Sequence, residues 1–201
     1  VKSIINDYKP DFVFHLAAQP IVRKSYEDPL LTWNTNLFGT LNILEALRYV
    51  SKKCCAVIIT SDKCYENLEW TWGYRENDKL GGPDPYSASK GAAELAIKSY
   101  IKSFFTEGKT NIRIASARAG NVIGGGDWAV DRIIPDCIKA WSRGEVLELR
   151  NPNSTRPWQH VLEPLSGYLN LALSLNKKFI LHGEAFNFGP ISTDTRSVLD
   201  L

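Results

Sequence analysis

Tyr86 and Lys90 stand four residues apart at the start of a stretch, Pro85 to Phe105, that reads as a helix. Residues i and i+4 of a helix lie one turn apart on the same face, so a phenol and an ammonium can share one site. A phenol titrates near ~10, and a positive charge beside it favours the phenolate. Lys90 is therefore expected to help Tyr86 act as a base near neutral pH. Taken alone, such a pair is also what the surface of an amphipathic helix carries by chance. A second cluster adds to it: Thr60-Ser61-Asp62-Lys63 closes a short β-rich run beginning at Ala56, and open α/β sheets bind ligands at the carboxyl ends of their strands. Ser61 and Asp62 can equally cap the turn that follows.

The surrounding pattern predicts the elements that position these groups. Pro10 ends a helical stretch from Val1 to Tyr8, and Asp11 to Ala17 reads as a short buried strand ending in small residues. Asp28-Pro29 supplies an N-cap and a first-turn proline, after which Leu37, Leu41, Leu44 and Leu47 recur at helical spacing to about Val50. Ile112 to Ala117 reads as a third strand. Strand and helix thus alternate through the first 120 residues, which predicts an α/β fold built on a doubly wound parallel sheet. After Asn121 the texture changes to Gly124-Gly-Gly-Asp-Trp128, a helix near Val130 to Arg143, a short strand near Val146 to Arg150, a helix from Glu163-Pro164 to about Leu175, and a late strand at Ala185 to Phe188. The expected division is residues 1–123 in the sheet domain and 124–201 mainly in a smaller substrate-binding lobe, with 161–188 returning to the sheet.

Composition narrows the function classes. With 44% hydrophobic residues in 201, the chain can bury a real core. A net charge of +2, from 24 basic and 22 acidic residues, gives no basic footprint for nucleic acid. No apolar run is long enough to span a bilayer and no signal-peptide order opens the chain, so neither a membrane nor an exported location is expected, and the cytoplasm is. Cys54, Cys55, Cys64 and Cys137 form neither a CxxC pair nor a zinc-ligand spacing; they are expected to be reduced, with no metal site. The chain has no methionine and opens in apparent mid-helix, as an internal piece of a longer protein would.

Several blocks occur in an order that resembles the extended short-chain dehydrogenase/reductase family, and within it the CDP-glucose 4,6-dehydratase branch. They are His15-Leu-Ala-Ala-Gln19, Thr35-Asn36 with Gly39-Thr40, Thr60-Ser-Asp-Lys-Cys-Tyr65, Tyr86 to Lys90, Ala117-Arg-Ala-Gly-Asn-Val122, Gly124-Gly-Gly-Asp-Trp128 and Arg156-Pro-Trp-Gln-His160. The dTDP-glucose branch carries Thr-Asp-Glu where this chain has Ser61-Asp62-Lys63. The resemblance implies an incomplete Rossmann-like sheet, NAD as cofactor, a nucleotide-sugar substrate and a homo-oligomer.

It also implies roles. Tyr86, with Ser61 sharing the hydrogen bond and Lys90 beside it, takes the proton of a C4 hydroxyl as C4 is oxidised. Asp62 then protonates the departing C6 hydroxyl, and hydride returns to C6. Lys63 stands where the other branch has its C5 base. A lysine serves as a base only when neutral, so Lys63 either takes the C5 proton or orients Asp62 and stabilises the enolate; both roles stay open. Leu16, Ala17, Ala18, Asn36 and Thr60, with Tyr86 and Lys90, are expected to line or brace the cofactor site. Asn121, Arg132 and Arg156 are expected around the diphosphate, Arg150 against the base and Gln19 against the sugar, with Trp128 and Trp158 as pocket walls or core. His15 is expected to be a satisfied core histidine.

No G-x-G-x-x-G turn occurs in the chain. In the family it opens the sheet, roughly two βα units upstream of Val1 at ~30 residues each. These residues by themselves are therefore expected to bind NAD weakly. Leu201 reads as the start of a helix whose remainder lies beyond it. Two other functions fit less well. A sugar-nucleotide 4-epimerase shares Tyr86 and Lys90 but has no use for Asp62 and Lys63 as an elimination pair, and a non-catalytic NAD-sensing module has no need of Tyr86 or Lys90.

Overall fold

A strand covered on both faces reads as an unbroken apolar run, and Cys54–Ile59 is one. In the computed structural model, which describes residues 1–191 and 196–201, that strand lies at the centre of a parallel sheet. In chain order the first elements are α1 (Lys2–Tyr8), β1 (Phe12–His15), α2 (Val22–Glu27) and α3 (Pro29–Trp33). Helix α3 passes through a π-helical turn (Asn34–Phe38) into α4 (Gly39–Leu47). Then come β2 (Cys54–Ile59), a 3₁₀ turn (Asp62–Cys64), α5 (Pro85–Phe104), β3 (Ile112–Ala119), β4 (Val122–Ile123) and α6 (Ile133–Ser142). The chain continues through β5 (Thr155–Arg156), β6 (Gln159–His160), α7 (Leu162–Lys177), β7 (Ala185–Phe188) and β8 (Arg196–Ser197).

The main sheet has the order β1-β2-β3-β7, every pair parallel. Side chains of a strand alternate between faces, and β2 feeds two cores in turn. Cys54, Ala56 and Ile58 pack with Leu44 and Leu47 of α4 and Ile97 of α5. Cys55 and Val57 pack on the opposite face with Tyr168, Leu171 and Leu175 of α7. Helices on both faces make the sheet doubly wound, as the alternation predicts. The predicted caps form as well: Asp28 accepts from the Leu31 amide at 2.9 Å, with Pro29 opening the helix.

Gly167 of α7 faces the ring of Phe188 so closely that a Cβ there would come within 2.3 Å of it. The same ring meets Tyr168 edge-on, with centroids 5.2 Å apart. Gly167→Ala is therefore expected to destabilise the fold by about 1–3 kcal/mol through overpacking. The check is a lower denaturant midpoint with an unchanged m-value.

One expectation fails. Val146 to Arg150 keeps its alternation, with Leu147 and Leu149 partly buried, but among the described residues no strand lies alongside to pair with it and no strand forms. The ladders of this region are instead β4 with β6, parallel, and β5 with β8, antiparallel, each two residues long. At the end of the chain Ser197 and Asp200 bond reciprocally, the Ser197 hydroxyl accepting from the Asp200 amide at 3.1 Å and the Asp200 carboxylate accepting from the Ser197 amide at 2.9 Å, the pattern of a helix N-terminus.

Candidate active site

Helix α5 starts where Asp84 accepts hydrogen bonds from the Ser87 amide and hydroxyl, at 3.0 and 2.6 Å, with Pro85 at its first position. That start places Tyr86, Lys90 and Glu94 on successive turns of one buried face. The face packs on the end of β2. Gly91 makes the approach possible, since a Cβ there would lie 3.2 Å from the Cys64 carbonyl oxygen. Thr60 and Ser61 are buried at the strand end. Ser61 then caps the 3₁₀ turn: its hydroxyl accepts from the Lys63 amide at 3.2 Å and donates to the Asp62 carboxylate at 3.0 Å. The ammonium of Lys63 lies 3.6 Å from the other carboxylate oxygen of Asp62, and both side chains reach solvent. Ser61 therefore serves the turn and still stands beside the phenol of Tyr86.

Burial dominates the electrostatics of the site. Burial pushes the Tyr86 phenol up from its ordinary value; a hydrogen bond with Ser61 and the charge of Arg132 oppose this, while Asp62 and Asp84 add to it. Arg132 is thus one cation that acts on the phenol of Tyr86. Burial lowers Lys90 to about 8, offset in part by through-space attraction from Cys64 and Glu94. His15, lowered by its own burial and by Lys90, shares that environment and meets the Thr40 hydroxyl at 3.3 Å, a satisfied core histidine.

Asn36 occupies the π-helical turn, a feature that re-aims side chains and recurs at functional sites. Its amide accepts from the Gln19 backbone N–H at 2.8 Å and donates to the Gln19 carbonyl at 3.1 Å and the Ser89 hydroxyl at 2.9 Å. It thereby ties the segment after β1 to the helix of Tyr86 and Lys90. Leu16 and Ala17 lie open at the end of β1, with Ala18 partly covered. Two candidate groups are turned elsewhere. The Gln19 side chain closes a turn with Ile21, at 2.7 and 3.1 Å, and donates to the Thr32 hydroxyl at 2.8 Å, so its amide is not presented to a sugar. The Thr60 hydroxyl donates to Glu94 at 2.5 Å rather than facing a cofactor.

The candidate arginines divide. Arg132 caps α6, lies 3.7 Å from Asp127 and acts on Tyr86. Asn121 precedes β4 and its carbonyl accepts from the Gln159 amide at 2.9 Å. Arg156 sits in β5, its guanidinium donating to the Thr155 carbonyl. Arg150 is the most exposed and pairs with Asp131 at 3.1 Å, which also holds Arg23 at 3.2 Å. Arg150 thus belongs to a surface pair and does not join Tyr86. Trp128 is exposed, whereas Trp158 is partly covered with a buried indole N–H that lacks a partner among the described residues.

Comparison with known proteins places this arrangement. The family model described as GDP-mannose 4,6 dehydratase matches residues 1–191. The chain belongs to the GDP-mannose 4,6 dehydratase family. A CDP-glucose 4,6-dehydratase of Salmonella typhimurium is 50% identical over 201 residues, covering 98% of this chain and 56% of that protein. A UDP-glucose 4-epimerase of Mycoplasma pneumoniae is 27% identical, covering 92% and 57%. The dehydratase-family chain therefore spans little more than half the length of these relatives. Among solved structures, a UDP-glucuronic acid 4-epimerase from Bacillus cereus in complex with UDP-glucuronic acid and NAD superposes with a TM-score of 0.83 at 25% identity, covering 99% of this chain and 59% of that one. A dTDP-glucose 4,6-dehydratase from Streptomyces venezuelae with NAD bound superposes at 0.80 and 20% identity, covering 94% and 55%, a likeness of fold.

Sequence reasoning missed the buried polar cluster of this dehydratase-family chain. Glu94 and Arg118 form an ion pair at 2.8 Å with both side chains 4% exposed. The signal was present: Glu94 follows Lys90 by four residues on the same face, and Arg118 interrupts an apolar strand. Charged residues are rarely fully buried unless paired, and the partner of each lies 24 residues away in sequence.

Proposed function

We propose that the protein containing this chain is an NAD-dependent 4,6-dehydratase of a nucleotide-diphospho-glucose, with CDP-glucose as substrate. The observation that carries this reading is the Ser61-Asp62-Lys63 turn set against Tyr86, with the Asp62 charge felt at the phenol. An epimerase needs one base and a hydride carrier. Elimination needs a further acid and base, and Asp62 and Lys63 supply both chemistries at one strand end. The CDP-glucose 4,6-dehydratase that shares half of the aligned residues supports the choice of substrate.

The residues present fit the nicotinamide end of the cofactor: Leu16 and Ala17 are open at the end of β1, and the buried Lys90 has only through-space attraction to offset its burial. Lys90, Leu16, Ala17 and Ala18 would hold it, braced by Asn36. When bound, NAD would supply the hydride acceptor for C4 and, once reduced, the hydride donor for C6. Tyr86 receives the C4 hydroxyl proton, with Ser61 completing the hydrogen bond. The resulting ketone acidifies the C5 proton, which passes to Lys63 or, where Lys63 only steadies the enolate, to solvent, while Asp62 protonates the C6 hydroxyl so that it leaves as water. Arg132, Arg156 and Asn121 are assigned to the diphosphate.

On this reading residues 1–123 are the later part of a dinucleotide-binding domain and 124–201 mainly the substrate lobe, with 161–188 back in the sheet domain. A homo-oligomer in the cytoplasm is the proposed setting; the four cysteines, free and buried, suit a reducing compartment. No helix among the described residues is long and apolar enough to cross a membrane.

The test is incubation of the full-length protein with CDP-glucose, dTDP-glucose and GDP-mannose, with assay of the 4-keto-6-deoxy product. CDP-glucose is expected to lead by at least about tenfold in kcat/KM. A C4-inverted product with no loss of water would make the protein an epimerase, and no turnover of any of the three would leave the sensing module.

A further inference from the structure

Beyond Thr60, whose amide still bonds to the Ala117 carbonyl at 2.9 Å, the chain leaves the sheet and makes the turn that carries Ser61, Asp62 and Lys63. Bonds within the turn set its shape: the Cys64 amide donates to the Ser61 carbonyl at 3.1 Å and the Tyr65 amide to the Asp62 carbonyl at 3.4 Å. They do not set where the turn stands over the sheet. The side chains of Asp62 and Lys63 do not anchor it either, since they are 30% and 40% exposed and pair with each other.

The residues on either side of the turn are joined by an unbroken run of side-chain hydrogen bonds. Thr60 donates to one carboxylate oxygen of Glu94 at 2.5 Å, and the other oxygen accepts from Ser116 at 2.9 Å and from Arg118 at 2.8 Å. Arg118 then donates to the Tyr65 hydroxyl at 2.7 Å. The run therefore starts at the residue before Ser61 and ends at the residue after Cys64. Arg118 and Asn187 stand directly opposite each other in the β3-β7 ladder, and the Tyr65 hydroxyl, accepting from the first, donates to the second at 2.7 Å. The Tyr65 ring stacks on Tyr74 with centroids 5.1 Å apart. Thr60, Glu94, Arg118 and Tyr65 are all buried, where hydrogen bonds in a network reinforce one another. A turn held at Thr60 alone could pivot; one held at Thr60 and Tyr65 cannot.

Resting on the dehydratase reading, we propose that Tyr65 is a positioning residue for the loss of water: tied through Arg118 and Glu94 to Thr60, and directly to Asn187, it clamps the far end of the turn so that Asp62 and Lys63 meet C6 and C5 of the sugar. C4 oxidation is less sensitive to this end, because Ser61 adjoins the Thr60 end and Tyr86 belongs to α5. A hydroxyl that served only the fold would slow both steps together or neither.

Tyr65→Phe removes the hydroxyl and keeps the ring on Tyr74; Thr60→Val removes the bond at the other end of the run. In the full-length protein with CDP-glucose, Tyr65→Phe is expected to form NADH in a single turnover within about threefold of the parent rate, with KM also within about threefold. Release of the 4-keto-6-deoxy product should slow by roughly 10–100-fold, the cost of a displacement of about 1 Å, so that NADH accumulates. Thr60→Val should slow product release to a similar degree. The double variant should be no slower than the slower single one, within about threefold, because a clamp opened at one end is already open. Product release by Tyr65→Phe within about threefold of the parent overturns the proposal, as does a fall in NADH formation equal to the fall in product release. Additive losses in the double variant also overturn it, by making the two ends independent. Failure of both single variants to fold does the same, by making the bonds structural only. A parent that forms no NADH with any nucleotide sugar sinks the dehydratase reading instead. The clamp is then read from hydrogen exchange at the Cys64 and Tyr65 amides, expected to be about tenfold faster in Tyr65→Phe, and unchanged exchange overturns it.

Discussion

Tyr86→Phe is expected to slow NADH formation from CDP-glucose by about 10²–10⁴-fold, the span that a positioned general base contributes. The substitution removes one hydroxyl from a ring that is only 8% exposed, so packing on α5 is retained and the fold should melt as before. Nucleotide-sugar affinity should change little, because the diphosphate is assigned to Arg132, Arg156 and Asn121. Single-turnover absorbance of NADH, with calorimetric affinity for the sugar nucleotide, checks both halves. A rate within tenfold of the parent would remove Tyr86 from the chemistry.

The pH dependence of the same step follows from two buried groups. The phenol of Tyr86 is raised above its ordinary 10 by burial, so raising the pH favours the phenolate and the rate should climb. Lys90, lowered from 10.5 to about 8, loses its charge in the same direction, and with it the support for an anion in the site. The rate is therefore expected to bend over above about pH 8. Stability runs the other way. Between about 8 and 10.5 the unfolded chain binds a proton at Lys90 that the folded one has released, so the contribution of Lys90 to stability rises with pH across that window. Below it, holding the ammonium buried costs roughly 3 kcal/mol.

What was legible in the sequence was whatever obeys a local period or a local cap. The strands of the sheet, the Asp28-Pro29 start and the shared face of Tyr86 and Lys90 all come from spacings of two, three or four residues. The π-helical turn at Asn34–Phe38 does not, because Leu37, Leu41, Leu44 and Leu47 keep helical spacing whether or not one turn is widened. The two-residue ladders β4-β6 and β5-β8 are too short to have a period, and Val146 to Arg150 has the period without a neighbour. Side-chain direction was the other blind spot. Thr60 and Gln19 read as site groups and Lys90 as the helix neighbour of Tyr86, but only the tertiary structure shows the first bonded to Glu94, the second folded into its own turn and the third sharing its burial with His15, Cys64 and Glu94.

Lys63→Met is expected to separate the two halves of the reaction. The substitution keeps most of the side-chain length and removes the charge 3.6 Å from Asp62, on a side chain that is 40% exposed, so the fold should be unaffected. On the proposed mechanism C4 oxidation depends on Tyr86, Ser61 and Lys90, and NADH should still form within about threefold of the parent rate. Loss of water needs the Asp62-Lys63 turn, and release of the 4-keto-6-deoxy product should fall by about 10²–10³-fold. Exchange of the C5 hydrogen with deuterated solvent then distinguishes the two roles open to Lys63. If Lys63 takes the C5 proton, exchange stops together with product release. If it only orients Asp62 and steadies the enolate, exchange continues while the C6 hydroxyl stays in place. Normal product formation by Lys63→Met would remove Lys63 from the elimination altogether and leave Asp62 to account for it alone.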